Sequence, residues 1–443
     1  MPLASGCVYS IGSPRAQDGK VSDTTNRQQI RRGLLVAGLA SMLPLRAAPR
    51  RKLTVAAFPL VDEIVKAALP QWQRLHPDVD VQVVSRQYVD HHTAMTTALS
   101  TSVYLPDVMA LESSYVGRFA QGGGLEDLTP EPYRVSQFRA RFVPYAYDQA
   151  INRRGAVVAV PTDIGPGTLL YRTDLLSKAG LGEADLTPSW EAYVDAGVKI
   201  KATTGAYLIS NAQAIKDIVI RSGIRPGEGL YFDQDSRVLV NSPRFVRAFE
   251  LARKVRRNKL DARVSAWSNE WAEGFRRGTL ATELSGAWMV GQMANWVAPD
   301  TKGLWRAAQL PAETFVGYGG SFYAIPRRAA PENKALAWEL IQLLTLNREL
   351  QFAAFKSQDA FPALLETFDD PFFEQPLAFL GGQRARLLWR DAARKITATQ
   401  VHKQNNFADE VIGTELDNVL DHDKNIGLAL ADAERLLVRR AKR

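Results

Sequence analysis

The chain has 443 residues, 46% of them hydrophobic and 23% charged, an ordinary globular composition with enough apolar material for two packed cores. Lysines and arginines exceed acids by 8, but they are scattered. Six basic against two acidic residues precede Ala48, leaving 49 against 45 beyond it, too mild a balance to argue for a nucleic-acid partner. The single cysteine, Cys7, excludes a disulfide framework, a thiolate metal site and a cysteine nucleophile from everything after it.

The N-terminus carries the first signal. Arg31 and Arg32 stand directly before an apolar run from about Gly33 to Leu45, followed by Ala47 and Ala48. A run of about 13 residues is too short to span a bilayer, which takes roughly 20. It fits a secretory signal, and the Arg-Arg-x-Leu-Leu start resembles a twin-arginine export signal. The alternative is a buried N-terminal helix, against which the preceding residues are polar and patternless. Residues 1–48 are therefore expected to be a polar extension plus a cleaved export signal. Cys7 precedes the apolar run, so it cannot be a lipid-attachment cysteine, and the exported product is not a lipoprotein.

Regular patterning follows. Leu-Thr-Val-Ala-Ala-Phe (53–58) predicts a strand, and Ile64, Ala68, Trp72 and Leu75 share one helical face. Val79, Val81 and Val83 alternate as a strand does. Strand, helix and strand in this short span make a βαβ unit and so a parallel sheet. A helix over about 90–101, a strand at 106–111 and a helix halted by Gly122–Gly124 complete an α/β first lobe.

Residues 158–175, VAVPTDIGPGTLLYRTDL, pose a different problem. Strand-like ends enclose one carboxylate, two prolines and two glycines. No Gly-Lys-Ser/Thr follows, and no GxGxxG occurs in the chain, which weighs against a phosphate cradle.

The stretch 97–130, TALSTSVYLPDVMALESSYVGRFAQGGGLEDLTP, resembles the early segment of the extracellular sugar-binding proteins of ABC importers. The resemblance continues in AVPTDIGPGTLLYRTDLLSKAGL with TPSWEAY, in FRRGTLATELSGAWMVGQM, and in GYGGSFYAIPRRAAPENKALAWELIQLLT. Four loose blocks in the family's order carry more weight than any one of them. The resemblance implies a two-lobed periplasmic-binding-protein type II fold of the maltose-binding kind. Each lobe would be a mainly parallel sheet flanked by helices, with the ligand cleft between them. The implied partition is 53–160 plus 283–326 for the N-terminal lobe and 163–280 plus 329–443 for the C-terminal lobe.

On this reading VPTDIGPG is the first crossing between lobes. Pro161 and Pro166 would hold extended backbone while Gly165 and Gly167 permit turns, and Asp163 would either accept sugar hydroxyls or cap the turn. Ligands in open parallel sheets lie beyond the carboxyl ends of strands. That brings forward Glu112, Ser114 and Tyr115, with Ser113 as a helix N-cap and Glu112 as a solvated acid the competing view. Five of nine tryptophans fall between Trp267 and Trp305. An indole packs well on the apolar face of a sugar, and Trp288 and Trp267 are the candidates, whereas Trp190 and Trp338 read as core. Gly319 and Gly320 would expose backbone N–H groups at a third crossing, after which the chain stays in the second lobe. Phe379 and Gln383 lie in a short segment resembling another cleft segment of the family.

The resemblance implies a periplasmic protein, monomeric, that delivers a mono- or oligosaccharide to an inner-membrane ABC permease, with a chemoreceptor as another partner. It calls for no cofactor and no metal. The alternative is an exported carbohydrate-active enzyme with paired carboxylates, for which Glu112, Asp163, Glu270 and Glu283 are the candidates. A serine hydrolase would lack its GxSxG elbow and a metalloprotease its HExxH.

Overall fold

One long strand, Val160–Arg172, ties the molecule together. In the computed structural model, which describes residues 50–225, 227–399 and 401–441, this strand (β4) pairs with different partners along its length. The expected export signal over 1–48 lies outside the described residues.

The first lobe begins with β1 (Arg51–Ala57), α1 (Val61–Leu75) and β2 (Val79–Ser85), with β1 and β2 parallel and in register from Arg51–Val79 to Ala57–Ser85. Helix α1 buries Ile64, Val65, Ala68 and Trp72. Leu75, expected on that face, is exposed because the helix ends there. Helix α2 (Tyr88–Thr101) leads to β3 (Val108–Glu112), which pairs parallel to β1, and α3 (Ser113–Gln121) follows without a break.

Beyond β4 come β5 (Thr282–Gly286), β6 (Trp305–Ala308) and β7 (Gly317–Ala324). The sheet runs β2-β1-β3-β7-β4-β5, with β6 also on β4. β7 is antiparallel to both β3 and the first part of β4, whereas β5 and β6 pair antiparallel with its second part, Gly167–Arg172. Side chains of that second part alternate between two cores: Leu170 joins the larger one with Trp271, Phe275 and Trp305, and Leu169 and Tyr171 join the other with Trp190, Tyr193 and Phe249.

This pairing corrects the expected partition. Strands β5 and β6, assigned above to the N-terminal lobe as part of 283–326, belong with the second half of β4. The helices Pro331–Leu346 and Arg348–Gln358, assigned to the C-terminal lobe, pack instead on α1 and β1 of the first. The reason is the direction of β7: running antiparallel to β4, it carries the chain from Val316 in the second core to Phe322 in the first. The chain does not stay in the second lobe after this crossing. It returns only later, when the helices Asn405–His422 and Ile426–Ala441 pack on the helix Pro243–Arg257.

VPTDIGPG is likewise not a bend but part of β4. Its ladder with β7 is irregular between Pro161 and Asp163 and between Ile164 and Pro166, as expected where proline withholds an N–H from the sheet. Gly165 has no positive φ; a Cβ there would lie 2.0 Å from the Tyr318 carbonyl oxygen. Its missing side chain serves close strand approach rather than a turn.

Candidate functional site in the cleft

The site is built where β3, β7 and β4 lie side by side. Glu112 on β3 and Asp163 on β4 are each directly opposite Ser321 of β7. Directly opposed residues project from the same face of a sheet, so the three side chains form one row across the middle of the molecule.

Asp163 is the one half-buried residue in an otherwise buried run of strand, and its Oδ1, itself buried, has no partner among the described residues. Burial pushes its carboxyl up to about 6, with Ser321 opposing that shift and the charge of Glu112 adding to it. The hydroxyls of Tyr145 and Tyr323, both buried, are also without a partner among the described residues. Burial raises both phenols, and the charge of Asp163 raises them further. Asp163 and these two neighbouring phenols thus comprise one acceptor and two donors without partners among the described residues, the inventory needed to bind hydroxyl groups.

Glu112 behaves differently. It is the N-cap of α3, accepting from the Ser114 backbone N–H at 2.8 Å, the Ser113 hydroxyl at 2.7 Å and the Tyr88 hydroxyl at 2.9 Å, as well as from the Ser114 hydroxyl. It is neither a solvated acid nor a free acceptor, and the N-cap role considered for Ser113 falls to Glu112. Ser114 is exposed but its hydroxyl is spent on this cap. Tyr115 is half-buried and stacks on His92 at 3.9 Å, with 14° between planes.

Trp288 follows β5 and donates its indole N–H to the carbonyl of Tyr318 on β7 at 2.9 Å. Gly319 and Gly320 have φ of +89° and +117°, where other residues are disfavoured. A Cβ on Gly319 would be 2.8 Å from the Trp288 indole nitrogen, and one on Gly320 would be 2.9 Å from the Asp163 carbonyl. The two glycines let the tryptophan and the backbone of the acid come close to β7.

Trp267 is 52% exposed and has φ of +69°, a strained conformation for a bulky residue and one that tends to persist at functional sites. Its ring is stacked between Trp288 (5.9 Å, 14°) and Trp296 (5.9 Å, 24°), and tilts against buried Trp271 at 5.1 Å. Trp296 was not singled out in the sequence. It sits in a π-helical turn, Met293–Val297, with its N–H on Gln292 Oε1 at 2.6 Å, and such turns recur at functional sites. The signal that could have found it was the helical spacing of eight from Trp288.

Two expected residues are not brought to this place. Phe379 is buried in the larger core, and its carbonyl accepts from the Gly303 N–H at 2.9 Å. Gln383 uses its whole amide on Ala307, accepting from the backbone N–H at 2.8 Å and donating to the carbonyl at 2.7 Å. It acts as one more peptide unit on β6. Of the other carboxylates considered, Glu283 on β5 is buried, and burial pushes it up to about 8, with Trp271 opposing.

The chain as a whole is similar to known proteins. A sequence profile described as "bacterial extracellular solute-binding protein" matches residues 58–350. The chain is similar to the lactose-binding protein of Rhizobium radiobacter, at 24% identity over 81% of this chain and 87% of that protein. It is also similar to the arabinooligosaccharide-binding protein of Bacillus subtilis, at 24% identity over 67% and 70%. Among solved structures, a family 1 extracellular solute-binding protein superposes with a TM-score of 0.76 at 23% identity, covering 88% of this chain and all of that one. A binding protein from B. animalis subsp. lactis in complex with β-1,6-galactobiose superposes with a TM-score of 0.73 at 21% identity, over 89% and 98%. These structures share the two-lobed fold. With the family profile covering more than half of its length, the chain belongs to the bacterial extracellular solute-binding proteins.

Proposed function

We propose that this protein captures a mono- or oligosaccharide between its lobes and delivers it to an inner-membrane ABC permease. The observation that carries this reading is the pairing of an open carboxylate, Asp163, with an indole, Trp288, bonded to the carbonyl of Tyr318 on the neighbouring strand β7. One satisfies sugar hydroxyls and the other covers an apolar ring face. The named relatives bind lactose and arabinooligosaccharides, which supports the carbohydrate class. Ligand then shifts the population toward the closed form to the extent that it binds that form better. The protein acts as a monomer, without metal or cofactor, and a chemoreceptor that reads the closed form is a second partner.

No observation favours the paired-carboxylate enzyme: Glu112 is occupied by its cap and Glu283 is buried. The matched family is one of binding proteins. Location in the periplasm, by cleavage of a twin-arginine signal, rests on Arg31 and Arg32. Changing both to lysine is expected to block export, and unchanged export would leave an ordinary secretory signal.

A thermal-shift screen of the purified protein against sugars, polyols and sugar phosphates tests the function. A ligand at about 100 times its Kd adds roughly 2.7 kcal/mol of stability. Stabilisation by sugars with no chemical change in them is the expected result; release of new reducing ends from an oligosaccharide would overturn it.

A further inference from the structure

The arm of the cleft formed by Glu112 and Tyr115 is held from behind by the first two turns of α2. His92 there makes three contacts at once. Its Nδ1 lies 2.8 Å from the Tyr88 carbonyl, its Nε2 lies 3.1 Å from the Glu112 backbone nitrogen, and its ring is stacked on Tyr115. A carbonyl can only accept and a backbone N–H can only donate. Both bonds therefore require the neutral imidazole with its proton on Nδ1. Tyr88, whose carbonyl orients that imidazole, also donates its hydroxyl to Glu112 Oε2. Backbone and side chain of Glu112 are thus gripped by one pair of residues four apart on a helix.

We propose that His92 is the positioning residue of this arm, holding Glu112 and Tyr115 at the cleft only while its imidazole is neutral and so making sugar capture acid-sensitive. The proposal rests on the carbohydrate reading above for its consequence, but its structural claim is independent of the ligand. A proton added at Nε2 would face the Glu112 N–H with a second donor. The bond would be lost and the ring would leave its place against Tyr115.

Among the described residues, the groups packed around the imidazole include no competing cation. They are Tyr88 and His91 on α2, Phe58 after β1, and Glu112 and Tyr115 on the arm. His91 is itself committed, its Nε2 on the Ala110 carbonyl at 2.7 Å, and Arg86 bears on His91 rather than on His92. Burial holds both histidines down to about 4, so both are neutral under ordinary conditions.

The test compares wild type, His92→Gln and His92→Leu by amide hydrogen exchange over residues 110–118, with the urea midpoint as a measure of the whole fold and lactose as the binding probe. Glutamine can place a carbonyl oxygen where Nε2 stands but cannot titrate in this range. We expect His92→Leu to lower protection at the Glu112 amide about tenfold or more while amides of β2 keep theirs, and His92→Gln to restore most of it. Acidification from about pH 7 to about 4.5 should loosen the arm in wild type and not in His92→Gln. Unchanged protection at Glu112 in His92→Leu overturns the proposal. So does an acid response in His92→Gln equal to that of wild type, a comparison that stands even if the leucine variant fails to fold. Failure of every form to bind lactose, with the exchange pattern as expected, would count against lactose as ligand and leave the positioning role supported.

Discussion

Glu112 and Asp163 stand opposite the same residue, Ser321, one on each strand neighbouring β7. Two strand spacings put their backbones about 10 Å apart on one face of the sheet. Yet the two carboxylates have opposite standing: Glu112 is saturated by donors from its own segment and from Tyr88 on α2, and Asp163 has an oxygen with none among the described residues. The same row thus contains a structural acid and an open one.

The open acid should reveal itself through pH. Its pKa is raised from 3.8 to about 6 in the folded protein, so the native state holds the proton more tightly than the unfolded chain. That contribution favours folding below the unfolded value and is lost as pH rises through about 6. Asp163→Asn should therefore gain stability relative to wild type between about pH 4 and pH 7.5, by about 2–3 kcal/mol, while weakening sugar binding by about 1–3 kcal/mol. Urea midpoints at the two pH values, with sugar titrations, check both. A stability difference that does not change with pH would place the ionised acid in a better-solvated setting than the structure gives it.

Glu283 offers a second titration, away from the open row. Burial raises it from 4.5 to about 8, and its Oε2 has no partner among the described residues. Wild-type stability should fall steadily as pH rises from about 5 to about 8. In Glu283→Gln that part of the slope should vanish, with sugar affinity unaltered. A slope identical in both proteins would show that other groups carry it.

The tryptophan stack can be divided between binding and folding. Trp288→Ala should cost about 1–3 kcal/mol of sugar affinity. Its effect on the urea midpoint should be smaller than the roughly 3–5 kcal/mol of a fully buried tryptophan, since Trp288 is only half-buried. Trp271→Ala is the control, because Trp271 is wholly buried beneath the stack. Loss of stability with unchanged affinity in Trp288→Ala would take Trp288 out of the site.

Gln383→Leu should behave in the opposite way. The substitution leaves the Ala307 N–H and carbonyl without the partners they now have, at a cost of about 1–3 kcal/mol in folding. Sugar affinity should stay within about twofold of wild type. A fall in affinity without a fall in stability would return Gln383 to the cleft.

How far these features can be read without coordinates depends on how local their causes are. The βαβ start was legible because alternation in Val79, Val81 and Val83 and the helical spacing of Ile64, Ala68 and Trp72 are short-range patterns imposed by one buried face. The family was legible because four motif blocks keep their order along the chain. Asp163, Glu112, Trp288 and Trp267 could be named from residue type and position at strand ends. Their roles could not. Whether a carboxylate is capped or open depends on donors such as Tyr88, 24 residues before Glu112. Whether Gln383 faces a cleft or a strand edge depends on Ala307, 76 residues away. The partition into lobes turned on the same kind of fact. The direction in which β7 pairs with β4 decides which lobe receives the helix Pro331–Leu346. That direction is set by strand contacts more than a hundred residues apart in sequence, and no periodicity in either segment encodes them.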